Sequence, residues 1–151
     1  MSQDRFNHLI RELCDCIGIP DAERILQTRM LEVEGFDVMA DYFDNDPGAI
    51  YLNFHYGIVT GGRTLKVFRL LLEANLVIYA QDQAQLGMDE ATGGIVLIVR
   101  VPLTDEVNGE WLVDLLGHYA EHGKYWRDNI FKTEDEMFEN IANGTYVWIR
   151  A

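Results

Sequence analysis

The sequence predicts an α+β fold: an antiparallel sheet with helices, in the order α-β-β-β-α-β-β-α plus a C-terminal extension. Three observations predict it. Apolar residues recur with a helical period near the N-terminus, with period two from Arg29 to Tyr56, and with a helical period again from Thr64. Turn residues, not helices, separate the neighbouring strand segments, which makes them hairpin-linked and antiparallel. Strands that run together, with helices between and at the ends, fit α+β better than a parallel βαβ array.

Each element has a local reason. Residues 3–17 place Phe6, Leu9, Ile10, Leu13, Cys14 and Ile17 at helical spacing, and Gly18 and Pro20 stop that helix. Residues 21–27 add a short helical turn. Arg29–Val33 is a short strand, and Gly35 separates it from Phe36–Phe43, where Phe36, Val38, Ala40 and Tyr42 share a face. The stretch Asp44–Gly48, DNDPG, is a turn by composition. Ile50–Tyr56 alternates again, with Ile50, Leu52, Phe54 and Tyr56 on one face.

The helix expected over Thr64–Leu76 is apolar nearly all round. Leu65, Phe68, Leu72 and Leu76 form one stripe, and Val67, Leu70, Leu71 and Ala74 lie opposite. Lys66, Arg69 and Glu73 leave only a narrow polar strip between them. A helix of this kind must be covered on both sides, and one small sheet covers one side. The second side asks either for another subunit or for the chain's own third helix. The expected dimer interface is Val67, Leu70, Leu71, Ala74 and Val77. Residues 84–89 and 95–101 form a second hairpin across Ala91-Thr92-Gly93-Gly94, and Pro102 ends it. The third helix, about Asn108–Ile130, carries Leu112, Leu115, Leu116, Tyr119, Gly123, Trp126 and Ile130 on one stripe. Residues 1–132 then form one α+β domain. Residues 133–151 are an extension expected to pack on it, with an acidic helical patch and a last strand.

Composition narrows the function. At 151 residues and 48% hydrophobic content, the chain holds a core without disulfides. No apolar run approaches the ~20 residues of a membrane span. The N-terminal segment lacks the pattern of a secretory signal, so the expected location is the cytoplasm. A net charge of −13 repels phosphate backbones and argues against nucleic-acid binding. Cys14 falls on the apolar face of its helix, and Cys16 is expected to be the more exposed and the more open to reaction.

Chemistry-bearing motifs are sparse. His118-x-x-Glu121-His122 matches the inverted zinc-peptidase pattern H-x-x-E-H. In that alternative the chain is a zinc-dependent hydrolase, with His118 and His122 as ligands and Glu121 as general base. Helical geometry turns Glu121 away from the two histidines, so the expectation is no enzyme, no metal and no cofactor. His55 lacks an identifiable catalytic partner. Gly61-Gly62 lacks the Lys-Ser/Thr of a phosphate loop.

The segment Leu71-Leu72-Glu73-Ala74-Asn75-Leu76, the Leu86-Gly87-Met88-Asp89 and Thr92-Gly93 hairpin, and the strand ending Arg100-Val101-Pro102-Leu103 together resemble the CesT/Tir-type chaperones of bacterial type III secretion. Ala120-Glu121 followed by Trp126-Arg127 is similar to that family's third helix. Two features depart from it: the stretch Ala80–Gln85 is not glycine-rich, and the tail is longer. The resemblance implies a secretion-chaperone-like cytoplasmic homodimer in a Gram-negative bacterium, serving virulence. It would bind the N-terminal segment of one or more effectors and keep it extended, without ATP, until export. It also implies that the first helix and the sheet supply the apolar pockets. Met39, Phe43 and Tyr51, large groups at solvent-side positions, are the expected partner-binding residues. A related α+β interaction or regulatory domain without a secretion role is the other reading.

Overall fold

A computed structural model describes residues 2–59 and 62–131. The elements are α1 (Ser2–Ile17), α2 (Ala22–Thr28), β1 (Met30–Val33), β2 (Phe36–Asp41), β3 (Ala49–Ile58), α3 (Thr64–Asp82), β4 (Ala84–Met88), β5 (Gly94–Pro102) and α4 (Gly109–Trp126). A π-helical turn, Arg127–Phe131, follows. The fold is α+β, with one antiparallel sheet of five strands in the order β1-β2-β3-β5-β4. The expected extension and its last strand, 133–151, lie outside the described residues. The chain divides into two units. One runs through Phe54 and takes in Arg100–Ala120; the other is His55–Val99 with the chain from Glu121 onward.

In the first unit, α1 buries Phe6, Leu9, Ile10, Leu13 and Cys14, each at most 2% exposed. Gly18, at φ +76°, ends the helix, and the Ile19 N–H reaches back to Cys14 O at 2.9 Å, the closing bond of a Schellman cap. Asp21 then starts α2, its carboxylate accepting from the Arg24 N–H at 3.2 Å. Arg29 lies over the rings of Phe6 (4.9 Å) and Tyr42 (4.8 Å) and pairs with Asp41 at 2.6 Å, tying the entry to β1 to α1 and the end of β2. β1 and β2 close over Glu34 and Gly35, both at positive φ, the two-residue turn that matches strand twist. That turn sets the register Met30–Met39, Leu31–Val38, Glu32–Asp37, Val33–Phe36. α4 begins against α1. Asn108 caps the Trp111 N–H at 2.9 Å, and Glu12 of α1 accepts from the Gly109 N–H at 3.0 Å. A Cβ on Gly109 would stand 2.7 Å from the Glu12 carbonyl carbon, so only glycine allows this approach.

In the second unit, α3 runs to Asp82, well past the Leu76 expected from periodicity. It packs on β4. The Asn75 side chain accepts from the Leu86 N–H at 2.6 Å and donates to its carbonyl at 3.0 Å, completing two backbone bonds that the outer strand would otherwise lack. β4 and β5 pair antiparallel, Leu86 opposite Leu97. The α-helical part of α4 ends at Trp126, not Ile130. The wider π turn buries consecutive Ile130 and Phe131 together, with Trp126 and Phe131 rings 6.1 Å apart. Arg63, 8% exposed, donates to the Ile130 carbonyl at 2.8 Å and so caps that turn.

Candidate interaction surfaces

The residues expected at a dimer interface are largely buried within the single chain. Val67, Leu70, Leu71 and Ala74 are 0–6% exposed within the single chain, and Val77 is half-buried. The first four pack against the chain's own residues, so theirs is not the exposed face of α3. The opposite stripe is the uncovered one. Leu65 is 83% exposed, Leu72 71% and Leu76 80%, with Phe68 half-buried among them. Three leucines at spacings of seven and four on one helix are too large an apolar exposure for a solvated face. Both stripes are visible in the sequence, but which one turns inward is not.

The expected partner-binding residues all lie in the first unit, Met39 and Tyr51 on the half-buried side of β2 and β3 and Phe43 just past the end of β2. Phe43 is 45% exposed; Met39 and Tyr51 are half-buried. The Phe43 and Tyr51 rings meet edge to face, centroids 5.1 Å apart. Met39 stands opposite Met30, so the β1–β2 ladder adds a second polarisable side chain to that face. Tyr51 is held in place: its hydroxyl donates to Asp46 Oδ2 at 2.6 Å. The same carboxylate takes two bonds from Arg100, at 2.8 and 2.9 Å. Arg100 first, then Tyr51, hold the Asp46 carboxyl at about 2, below its ordinary value of 3.8. The turn that sequence reading treats as a connector is thus the clamp that orients the aromatic pair. Its signal was an Asp in a turn and an Arg in an apolar strand, too far apart in sequence to be linked by pattern.

The zinc motif is dispersed into other roles. The His118 ring meets Tyr119 edge-on at 4.8 Å, and Glu121 pairs with Lys124 at 2.9 Å. Both His122 nitrogens are engaged, Nδ1 with the Tyr56 hydroxyl at 3.0 Å and Nε2 with the Trp126 indole at 3.1 Å. An indole N–H only donates, so Nε2 accepts and the His122 proton sits on Nδ1. His122 is a structural joint between β3 and α4. Among the described residues, no three His, Cys, Asp or Glu side chains gather as metal ligands. Cys14 is buried, and burial pushes its thiol up. Cys16 is exposed, at a shallow cleft with Glu110, Val113 and Asp114. Among the described residues, no helix is long and apolar enough to cross a membrane.

The element order and the five-stranded antiparallel sheet define an α+β fold that has a solved counterpart. The chain is similar to a chain of the crystal structure of the ExsC-ExsE complex, with a TM-score of 0.64 and 19% sequence identity, covering 83% of this chain and 92% of that one. The likeness is one of fold. No family model matches the sequence, and no curated protein is similar to it.

Proposed function

We propose that the chain is a type III secretion chaperone of the CesT/Tir type. It acts as a non-enzymatic homodimer that binds the N-terminal segment of one or more effectors in the cytoplasm. It keeps that segment extended and export-competent without ATP. The observation that carries the proposal is the face bearing Phe43, which is exposed, with Met39 and Tyr51 half-buried beside it. It lies on a fold shared with a chain solved in a complex of two proteins. Extended segments bind such surfaces by seating apolar anchors and adding a strand to a sheet edge. The ordering cost of an unfolded client calls for a broad surface of this kind rather than a closed pocket.

The homodimer forms through Leu65, Phe68, Leu72 and Leu76 of α3, in the unit that does not carry the client face. Residues 133–151 belong to the same domain in this proposal. The test is isolation of the tagged chain from its native cells while the secretion apparatus is expressed. The expected product is a secreted protein that is retained without nucleotide and lost when its N-terminal segment is deleted. Binding that persists without that segment would overturn the reading.

A further inference from the structure

Resting on that reading, we infer that the open edge of β1 selects client segments carrying a basic residue two positions from a large apolar one. At the β4 edge the N–H and C=O of Leu86 are already bonded to Asn75, so an added strand finds them occupied. Among the described residues β1 is the other edge strand, and there only the Met30 N–H is taken, by the Thr28 hydroxyl at 3.3 Å. There, the Ala40 N–H donates to Arg29 O at 2.8 Å, and the hairpin closes over Glu34 and Gly35. Alternation of the ladder makes Leu31–Val38 a hydrogen-bonded pair. Met30–Met39 and Glu32–Asp37 are then non-bonded pairs. The backbone N–H and C=O of Glu32 therefore point away from β2, where an added strand would bond.

The side chains of Glu32 and Asp37 are both exposed and stand directly opposite each other, at the closest cross-strand spacing. Like charges so placed repel. Among the described residues neither carboxylate has an ion-pair partner. A local rule broken without local compensation belongs where a ligand supplies the compensation. A lysine or arginine would supply it. The Met30–Met39 pair lies two residues along the same face, about 7 Å away. An added strand sets alternate side chains over that face, one against the methionines and the next against the carboxylates. The same charges disfavour a second copy of β1 as occupant, because a paired edge would bring acid close to acid.

The test uses the full chain and three synthetic peptides, each extended by alternating threonine on one face. On the other face leucine alternates with lysine, glutamine or glutamate. Binding is read by fluorescence anisotropy. The expected order is lysine, then glutamine, then glutamate, with the lysine peptide about fivefold tighter than the glutamine one. In Glu32→Gln/Asp37→Asn that preference should fall to less than about twofold. A charge-matched control in an exposed loop, Asp105→Asn/Glu106→Gln, should keep it. Equal binding of the lysine and glutamine peptides, or the same loss in the control, would overturn the selectivity while leaving client binding intact. Failure of all three peptides to bind would overturn client binding at this face as well.

Discussion

Single residues decide how closely the elements of the first unit approach. Gly109 is the sharpest case, because its missing Cβ is the space that the Glu12 backbone occupies. The neighbour is main chain and cannot swing aside, so Gly109→Ala must push α1 and α4 apart. The expected cost is about 1–3 kcal/mol, read as a lowered urea midpoint with an unchanged slope. Asp46 is one source of acid sensitivity. Its carboxyl titrates at about 2 in the folded chain, against 3.8 ordinarily. A depressed folded pKa stabilises the fold above the unfolded value, and that stabilisation is lost as pH falls from about 4 towards 2. Asp46→Asn should therefore flatten the decline in unfolding midpoint across that window. It should also release Tyr51, whose hydroxyl bonds the same carboxylate. A wild-type curve already flat between pH 4 and 2 would remove Asp46 from the account.

Elements were legible where their signals are local. The Gly18 stop, the hairpin over Gly35 and the Asp21 start of α2 each follow from a few adjacent residues, and the structure has all three. The inward face of α3 was not legible. At 100° per residue its polar strip of Lys66, Arg69 and Glu73 lies about equally far from both apolar stripes, so amphipathicity carries no sign. Burial supplies the sign. The same α3 face therefore gives a two-part prediction. Leu70→Glu buries a charge in the protomer core and should unfold the chain, by about 3 kcal/mol or more. Leu72→Glu, on the exposed stripe, should leave helix content intact and convert dimer to monomer in sedimentation velocity. A folded Leu72→Glu dimer would refute the interface. The register of β1 on β2 was within reach of the sequence, since a two-residue turn dictates it. The facing acids Glu32 and Asp37 could have been found that way.

At the scale of the whole molecule, the chain carries two kinds of uncovered surface with different chemistry. The α3 stripe is aliphatic. The first unit's sheet face mixes methionine, an aromatic pair and unpaired acids. Composition does not separate them, because 48% hydrophobic content is equally consistent with one large interface or two. Three-dimensional placement separates them, and in our proposal self-association belongs to the α3 stripe and the client to the first unit's sheet face. The zinc motif illustrates the opposite failure. Three matching letters over five positions have no power when Tyr56, from a distant strand, and Trp126, one turn on, occupy both nitrogens of His122.

The most direct test of that division is site-specific photo-crosslinking in native cells, with a benzophenone amino acid placed at Phe43 in one strain and at Leu72 in another. The account predicts that position 43 captures the N-terminal segment of a secreted protein and that position 72 captures a second copy of this chain. Capture of a second copy at position 43, or of the secreted protein at position 72 alone, would contradict it.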